Sequence, residues 1–180
     1  MNKVFFTTGP TETLPELQEL YADAVKNKVF SVSHRSEDFT AIVKFTVDKL
    51  KELLNIPNDF SVFFLASATE CMERSLQNLV EKKSFHFING YFAQRYHDIS
   101  EMLGKKPEFV KTAYGKGFNF GDYQVPEDAE MICITHNETS TGTALELKDI
   151  YALKSRYPDK ILALDMVTSL PYYKPDFKYT

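Results

Sequence analysis

Two short stretches in the last third of the chain are apolar at every position: Met131-Ile132-Cys133-Ile134 and Ile161-Leu162-Ala163-Leu164. Both have the length of a strand, and a strand without a polar face needs cover on both sides, as in a parallel sheet between helix layers. The segment between them, Glu146–Tyr157, carries a helical pattern. Strand, helix and strand in succession read as neighbouring parallel strands. Each run then breaks into polar residues, the first into Thr135-His136-Asn137-Glu138-Thr139-Ser140-Thr141-Gly142, the second into Asp165-Met166-Val167-Thr168-Ser169. Ligands of such sheets bind beyond the carboxyl ends of the strands. A hydroxyl cluster and a carboxylate at two such ends point to a cofactor site.

The rest of the chain alternates in the same way. Residues 1–14 read as an extended arm containing Gly9-Pro10, and 15–180 as one domain. Pro15 suits the first turn of a helix running to about Asn27. Ser36 caps a second helix with the stripe Phe39, Ile42, Val43, Val47, Leu50, Leu53 and Leu54, ended by Asn55 and Pro57. Strands are expected at Ser61–Leu65, Ser84–Ile88, Pro107–Thr112, Glu130–Thr135 and Lys160–Asp165. Helices are expected at Thr69–Val80 and Tyr91–Leu103 besides Glu146–Tyr157. The fold class is therefore α/β, a mainly parallel sheet flanked by helices in three layers.

Bulk properties exclude some functions. The charge of −4, from 21 basic and 25 acidic residues, supplies no basic footprint for nucleic acid or an anionic membrane. No apolar run approaches a membrane span, and the N-terminal Met1–Phe6 is too short for a signal peptide. Cys71 and Cys133 have no metal or redox spacing and read as buried, reduced packing residues of a cytoplasmic protein.

Four strand-to-helix turns carry the candidate chemistry. In Leu65-Ala66-Ser67-Ala68-Thr69-Glu70 small residues and helix-start amides suit a phosphate, although for the turn taken alone Ser67 or Thr69 as a plain helix cap is the better reading. In Asn89-Gly90-Tyr91-Phe92, Phe92 follows a sharp turn and could lie against a planar ring. In the hydroxyl-rich turn, Thr139 could donate to a phenolate-type oxygen, while His136 is expected to be hydrogen-bonded at the strand end, without metal partners. Asp165, costly to bury alone, would be matched by a protonated ring nitrogen or would cap a helix. Before the second helix, Ser33-His34-Arg35-Ser36 offers two anion binders.

Taken in order, these segments, with Gly9-Pro10-Thr11, Met72-Glu73 and Asp165–Leu170, resemble the class V, fold-type I aminotransferases, which use pyridoxal phosphate. The resemblance spans nearly the whole chain. It implies that Ser67, Ala68 and Thr69 hold the cofactor phosphate and that Phe92 stacks on the pyridine ring. It implies that Thr139 bonds the phenolic oxygen, that Asp165 keeps the ring nitrogen protonated, and that Thr168 belongs to the same cofactor site. His34 and Arg35 resemble the pair that binds substrate anions at the interface of a homodimer. The substrates implied are a small amino acid of the phosphoserine, serine or alanine type and a 2-oxo acid.

Two branches of the family share the pattern. Ser67-Ala68-Thr69 and Phe92 are similar to the alanine–glyoxylate and serine–pyruvate branch, whereas Ser33–Ser36 is similar to the phosphoserine branch. The family's Schiff-base lysine lies well beyond the aspartate, and Lys174 and Lys178 follow Asp165 too closely to match it. The chain is thus expected to be about half of an enzyme, lacking the small C-terminal domain and inactive alone. A cysteine desulfurase of the same fold and an inert binding module retaining it are the competing expectations.

Overall fold

The computed structural model describes Val4, Phe5, Thr7, Gly9 and residues 11–179. Of the expected arm, Pro10 lies outside the described residues, while Gly9 is an exposed bend. The chain divides into two compact units, residues 1–62 and 63–180, each described by itself below.

The first unit is helical. Helix α1 covers Leu17–Lys26, starting two residues after Pro15, and α2 covers Glu37–Leu54. Ser36 caps α2 as expected: its Oγ accepts from the Phe39 amide at 3.2 Å, and Glu37 and Asp38 sit against the positive helix end. The helix stops at Asn55, whose φ of 57° is a left-handed stop. Lys51 Nζ then donates to the carbonyls of Asn58 and Phe60, at 3.0 and 2.6 Å, folding the following turn onto the helix end. The apolar stripe of α2 is only half-buried at Val43, Val47, Leu50 and Leu54, and exposed at Phe39, Ile42 and Leu53.

The second unit is the three-layer structure. Its sheet has the order β2-β1-β3-β6, all parallel, from β1 (Ser84–Ile88), β2 (Glu108–Lys111), β3 (Met131–Thr135) and β6 (Ile161–Asp165). Helices α3 (Ala68–Leu79) and α4 (Tyr91–Met102) cover one face, and α5 (Leu147–Arg156) the other. Side chains alternate accordingly. Phe85, Phe87, Ile132 and Ile134 meet Ile150 and Leu153 of α5, with Phe118 and Phe120 from the loop after β2. Met131 and Cys133 meet Met72, Leu76, Tyr96 and Ile99 of α3 and α4. The central strands β1 and β3 are buried at every position, whereas the edge strands β2 and β6 are half-buried or exposed.

Two elements differ from expectation. Ser61–Leu65 forms no strand, and Phe63 and Phe64 are 82% and 57% exposed. Its β-forming composition is of no avail without a neighbouring strand, because strand stability resides in cross-strand partners. A short antiparallel pair, β4 (Asn137–Glu138) with β5 (Thr143–Ala144), closes the hydroxyl-rich loop on itself. Among the described residues no helix is long and apolar enough to cross a membrane.

Candidate functional site

The strand register brings the turns together. Phe87 pairs with Ile134 and Ile134 with Leu164, and Thr135 stands opposite Asp165. The turns that follow β1, β3 and β6 therefore leave the sheet side by side, at the carboxyl edge where ligands of parallel sheets bind.

Glu138 ties two of these turns. Gly90, the N-cap of α4, has no side chain to satisfy the first helical amides. A distant segment does so instead: the amides of Phe92 and Ala93 both donate to Glu138 Oε2 at 3.0 Å, and that of Tyr91 donates to Ser140 Oγ at 2.9 Å. The other carboxylate oxygen, Oε1, accepts from the Ser140 amide at 3.2 Å and from its hydroxyl at 2.7 Å. Glu138 is completely buried, and four donors on two oxygens make that tolerable. Tyr114 adds a further tie, its hydroxyl donating to the Ser140 carbonyl. Gly90 is obligatory here by close approach, since its φ of 173° is ordinary extended backbone while a Cβ would lie 2.3 Å from Glu138 Cγ.

The start of α3 is built differently. Ser67 Oγ accepts from the Glu70 amide at 3.1 Å, and Glu70 Oε2 accepts from the Ala66 amide at 2.9 Å, a near-reciprocal cap. The cap anticipated for Ser67 is therefore present. The amides of Ala68 and Thr69 and the Thr69 hydroxyl make no hydrogen bond among the described residues. Of the two helix starts on the face covered by α3 and α4, that of α4 is filled by an internal carboxylate and that of α3 presents open donors.

Asp165 ends β6 at the wall of a cavity of about 370 Å³. Ala68, Cys71, Met72 and Ser75 of α3, Tyr96 of α4, Ala163 and Leu164 of β6, and Met166, Val167 and Leu170 line the remainder. Burial pushes the Asp165 carboxyl above its ordinary value; the Val167 amide opposes this, the nearby Glu138 charge adds to it, and Thr135 opposes it weakly. No cation among the described residues acts on it. Its Oδ1 accepts from the Val167 amide at 3.1 Å in a turn, so it does not cap a helix. A half-buried carboxylate short of a positive partner is what a protonated ring nitrogen would complete.

The other anticipated residues fall as follows. Phe92 is 42% exposed on the first turn of α4, and Thr139 is half-buried beside Glu138 with its hydroxyl unspent among the described residues. Neither lines the cavity wall itself. Thr168 Oγ1 donates to the Asn137 carbonyl at 3.1 Å and accepts from the Asn137 side-chain Nδ2 at 2.8 Å, joining the turns after β3 and β6. Ser67, Ala68, Thr69, Phe92, Thr139, Asp165 and Thr168 thus all stand on the turns of this one unit. His34 and Arg35 are exposed residues just before α2, in the first unit.

Two expectations are corrected. The His136 ring is fully buried with neither nitrogen hydrogen-bonded among the described residues; it lies edge-on to Tyr173, and only its backbone bonds to Asp165 and Leu145. Cys71 is exposed, because its position on α3 opens onto the cavity that Ala163, Leu164 and Asp165 of β6 also line; Cys133 is buried as expected. Glu138 is the residue whose role sequence reasoning did not see. Its only local signal was a carboxylate inside a turn otherwise rich in hydroxyls.

Comparison with known proteins agrees with this arrangement. The family described as Aminotransferase class-V matches residues 6–180. A phosphoserine aminotransferase of Phocaeicola vulgatus is 34% identical over 155 residues, which are 81% of this chain and 43% of that protein. The crystal structure of a phosphoserine aminotransferase from Cytophaga hutchinsonii superimposes with a TM-score of 0.95 at 44% identity, covering 98% of this chain and 49% of that one. An aspartate aminotransferase of Thermus thermophilus gives a TM-score of 0.78 at 26% identity, over 93% of this chain and 47% of the other. The chain spans about half the length of the relatives it matches. With a family match over nearly every residue and the turns of the family pattern gathered at one sheet edge, the chain belongs to the class V aminotransferases.

Proposed function

We propose that this chain forms the cofactor-holding part of a pyridoxal-phosphate-dependent aminotransferase acting on phosphoserine or a similar small amino acid and a 2-oxo acid. The observation that carries the reading is Asp165: a carboxylate raised by burial, with no cationic partner among the described residues, on a cavity shared with the open start of α3. Pyridoxal phosphate, when bound, supplies an electron sink for negative charge developing at the amino acid α-carbon.

The chain's own residues would serve that chemistry by holding charge and excluding motion. Asp165 would keep a proton on the ring nitrogen, an ion pair strengthened by the low-dielectric wall around it. The amides of Ala68 and Thr69, with the Thr69 hydroxyl, would take the phosphate at the start of α3, with Ser67 shaping the turn through its cap. Phe92 would cover one ring face, and Thr139 would donate to the phenolic oxygen. Thr168 would hold the turn after β6 against Asn137. The amine-bearing lysine would come from outside residues 1–180, and His34 and Arg35 would bind the substrate anion across a homodimer. The unpaired Cys71 and Cys133 suit a reducing, cytoplasmic compartment.

The test is titration of pyridoxal phosphate into the full-length protein, followed by visible absorbance. Asp165→Ala should weaken binding at least about tenfold, the loss of one buried charge pair, while Asp176→Ala, removing an exposed carboxylate paired with Lys178, should leave it unchanged. Wild-type protein that leaves the cofactor spectrum untouched would refute the reading. Amino transfer from phosphoserine faster than from serine or alanine would select the phosphoserine branch.

A further inference from the structure

Among the described residues, the hydrogen bonds between the turn that carries Phe92 and the loop that carries Thr139 run through Glu138 and Ser140. One segment belongs to the helix after β1, the other to the loop after β3, and some 45 residues separate them along the chain. Buried carboxylates rarely persist without several donors. Here all the donors come from these two turns, and each carboxylate oxygen serves one of them: Oε2 the helix, Oε1 the loop.

We infer that Glu138 is a positioning residue of the cofactor site, a clamp whose two oxygens set the aromatic plate of Phe92 and the hydroxyl of Thr139 at a fixed separation. The inference rests on the functional reading above. It assigns Glu138 no contact with the cofactor. Its action passes through the first turn of α4, whose backbone it fixes, and through Ser140, which relays the clamp to Tyr91.

The chemistry requires a carboxylate. A glutamine side chain has one acceptor oxygen, and its NH₂ group would face either the Phe92 and Ala93 amides or the Ser140 amide, donor against donor. No rotamer of glutamine satisfies both turns. Ser140→Ala is the milder perturbation, removing the hydroxyl that accepts from Tyr91 and donates to Oε1 while leaving the carboxylate on the helix.

Two measurements on the full-length protein separate this inference from the functional reading. In cofactor-free protein, amide hydrogen exchange at Phe92 and Ala93 should be slow in the wild type and at least about tenfold faster in Glu138→Gln, since bonds to a charged acceptor are lost. In titrations with pyridoxal phosphate, Glu138→Gln and Ser140→Ala should weaken binding and diminish the visible circular dichroism of the bound cofactor, which reports its seating against Phe92. Adding Glu138→Gln to Phe92→Leu should cost less affinity than adding it to the wild type, because the share of the clamp's action that passes through Phe92 is already lost and only that through the Thr139 loop remains. Unchanged exchange in Glu138→Gln overturns the clamp. Faster exchange with wild-type affinity and dichroism, or an equal loss in the Phe92→Leu background, overturns the positioning role. A wild type that binds no pyridoxal phosphate overturns the functional reading and the positioning role with it, and the exchange experiment then reports on the clamp alone.

Discussion

Gly90→Ala is the sharpest single test of how the site is assembled. The added Cβ would lie 2.3 Å from Cγ and 2.6 Å from Cδ of Glu138, and 2.6 Å from Ser140 Oγ. The Ser140 hydroxyl can rotate away. Glu138 cannot, because it is fully buried and held by four hydrogen bonds. Relief therefore requires the carboxylate to back off its partners. Overpacking of this kind costs about 1–3 kcal/mol, and a hydrogen bond lost to a charged group about 1.5–3 kcal/mol. With one bond sacrificed the sum is roughly 2.5–6 kcal/mol. At an m-value of about 2 kcal/mol per molar urea, that lowers the unfolding midpoint by roughly 1–3 M. Backbone strain contributes nothing, since φ is 173°. Gly142→Ala supplies the contrast: it has open space around it but a φ of +68°, so it should cost only the left-handed penalty of about 1–2 kcal/mol. Equilibrium urea unfolding of the full-length protein measures both. In a Glu138→Ala background most of the Gly90→Ala penalty should vanish. A Gly90→Ala protein as stable as the wild type, or a penalty that survives removal of Glu138, would refute the steric reasoning.

Further outcomes follow from the buried titratable groups and thiols. Because burial raises the folded pKa of Asp165, the wild type binds its proton more tightly folded than unfolded, and its contribution is fully present at acid pH and lost as pH rises through the raised value. Cofactor-free Asp165→Asn should therefore gain stability over the wild type near neutral pH, with the difference shrinking at acid pH in urea midpoints; a difference that does not vary with pH counts against it. His86, fully buried with Nε2 2.8 Å from Ser84 Oγ, has its pKa pushed down to about 3 by burial, helped by His97. Its stability contribution is then present above the ordinary histidine value and lost as pH falls from 6.5 toward 3. His86→Gln should flatten that part of the pH–stability profile, and imidazole nitrogen shifts of His86 that titrate near 6.5 would contradict the burial argument. A thiol reagent followed by peptide mass spectrometry should modify Cys71 in the native protein and Cys133 only after denaturation; pyridoxal phosphate should slow the reaction at Cys71, on the cavity wall with Asp165, and rapid native labelling of Cys133 would argue against the packing described.

The segments that local physics specifies were legible in the chain. Apolar periodicity, the Ser36 and Ser67 caps and the Asn55 stop predict α2 and α3 to within a residue or so, because caps and stripes act over one or two helical turns. The two wholly apolar runs likewise mark β3, which is covered on both faces, and β6, which as an edge strand stays half-buried or exposed despite its composition. Ser61–Leu65 shows where that logic stops: the composition of a strand is present, but pairing depends on a neighbour that local sequence does not name. Cys71 and His136 were misjudged for the same reason, since exposure and hydrogen bonding depend on which way a helix or a strand end is turned.

The candidate site divides along the same line. Its chemical inventory, the hydroxyls, the aromatic and the aspartate, could be read from residue types at the ends of apolar runs. Tertiary structure alone decided how they are held. It put Thr135 opposite Asp165, filled the start of α4 with a carboxylate from another turn, left the start of α3 with open donors, and made Gly90 irreplaceable by bringing Glu138 within van der Waals distance of it. Periodicity and capping are short-range and therefore written in neighbouring residues; the burial of a charge, and the donors that make it tolerable, come into existence only when distant segments meet.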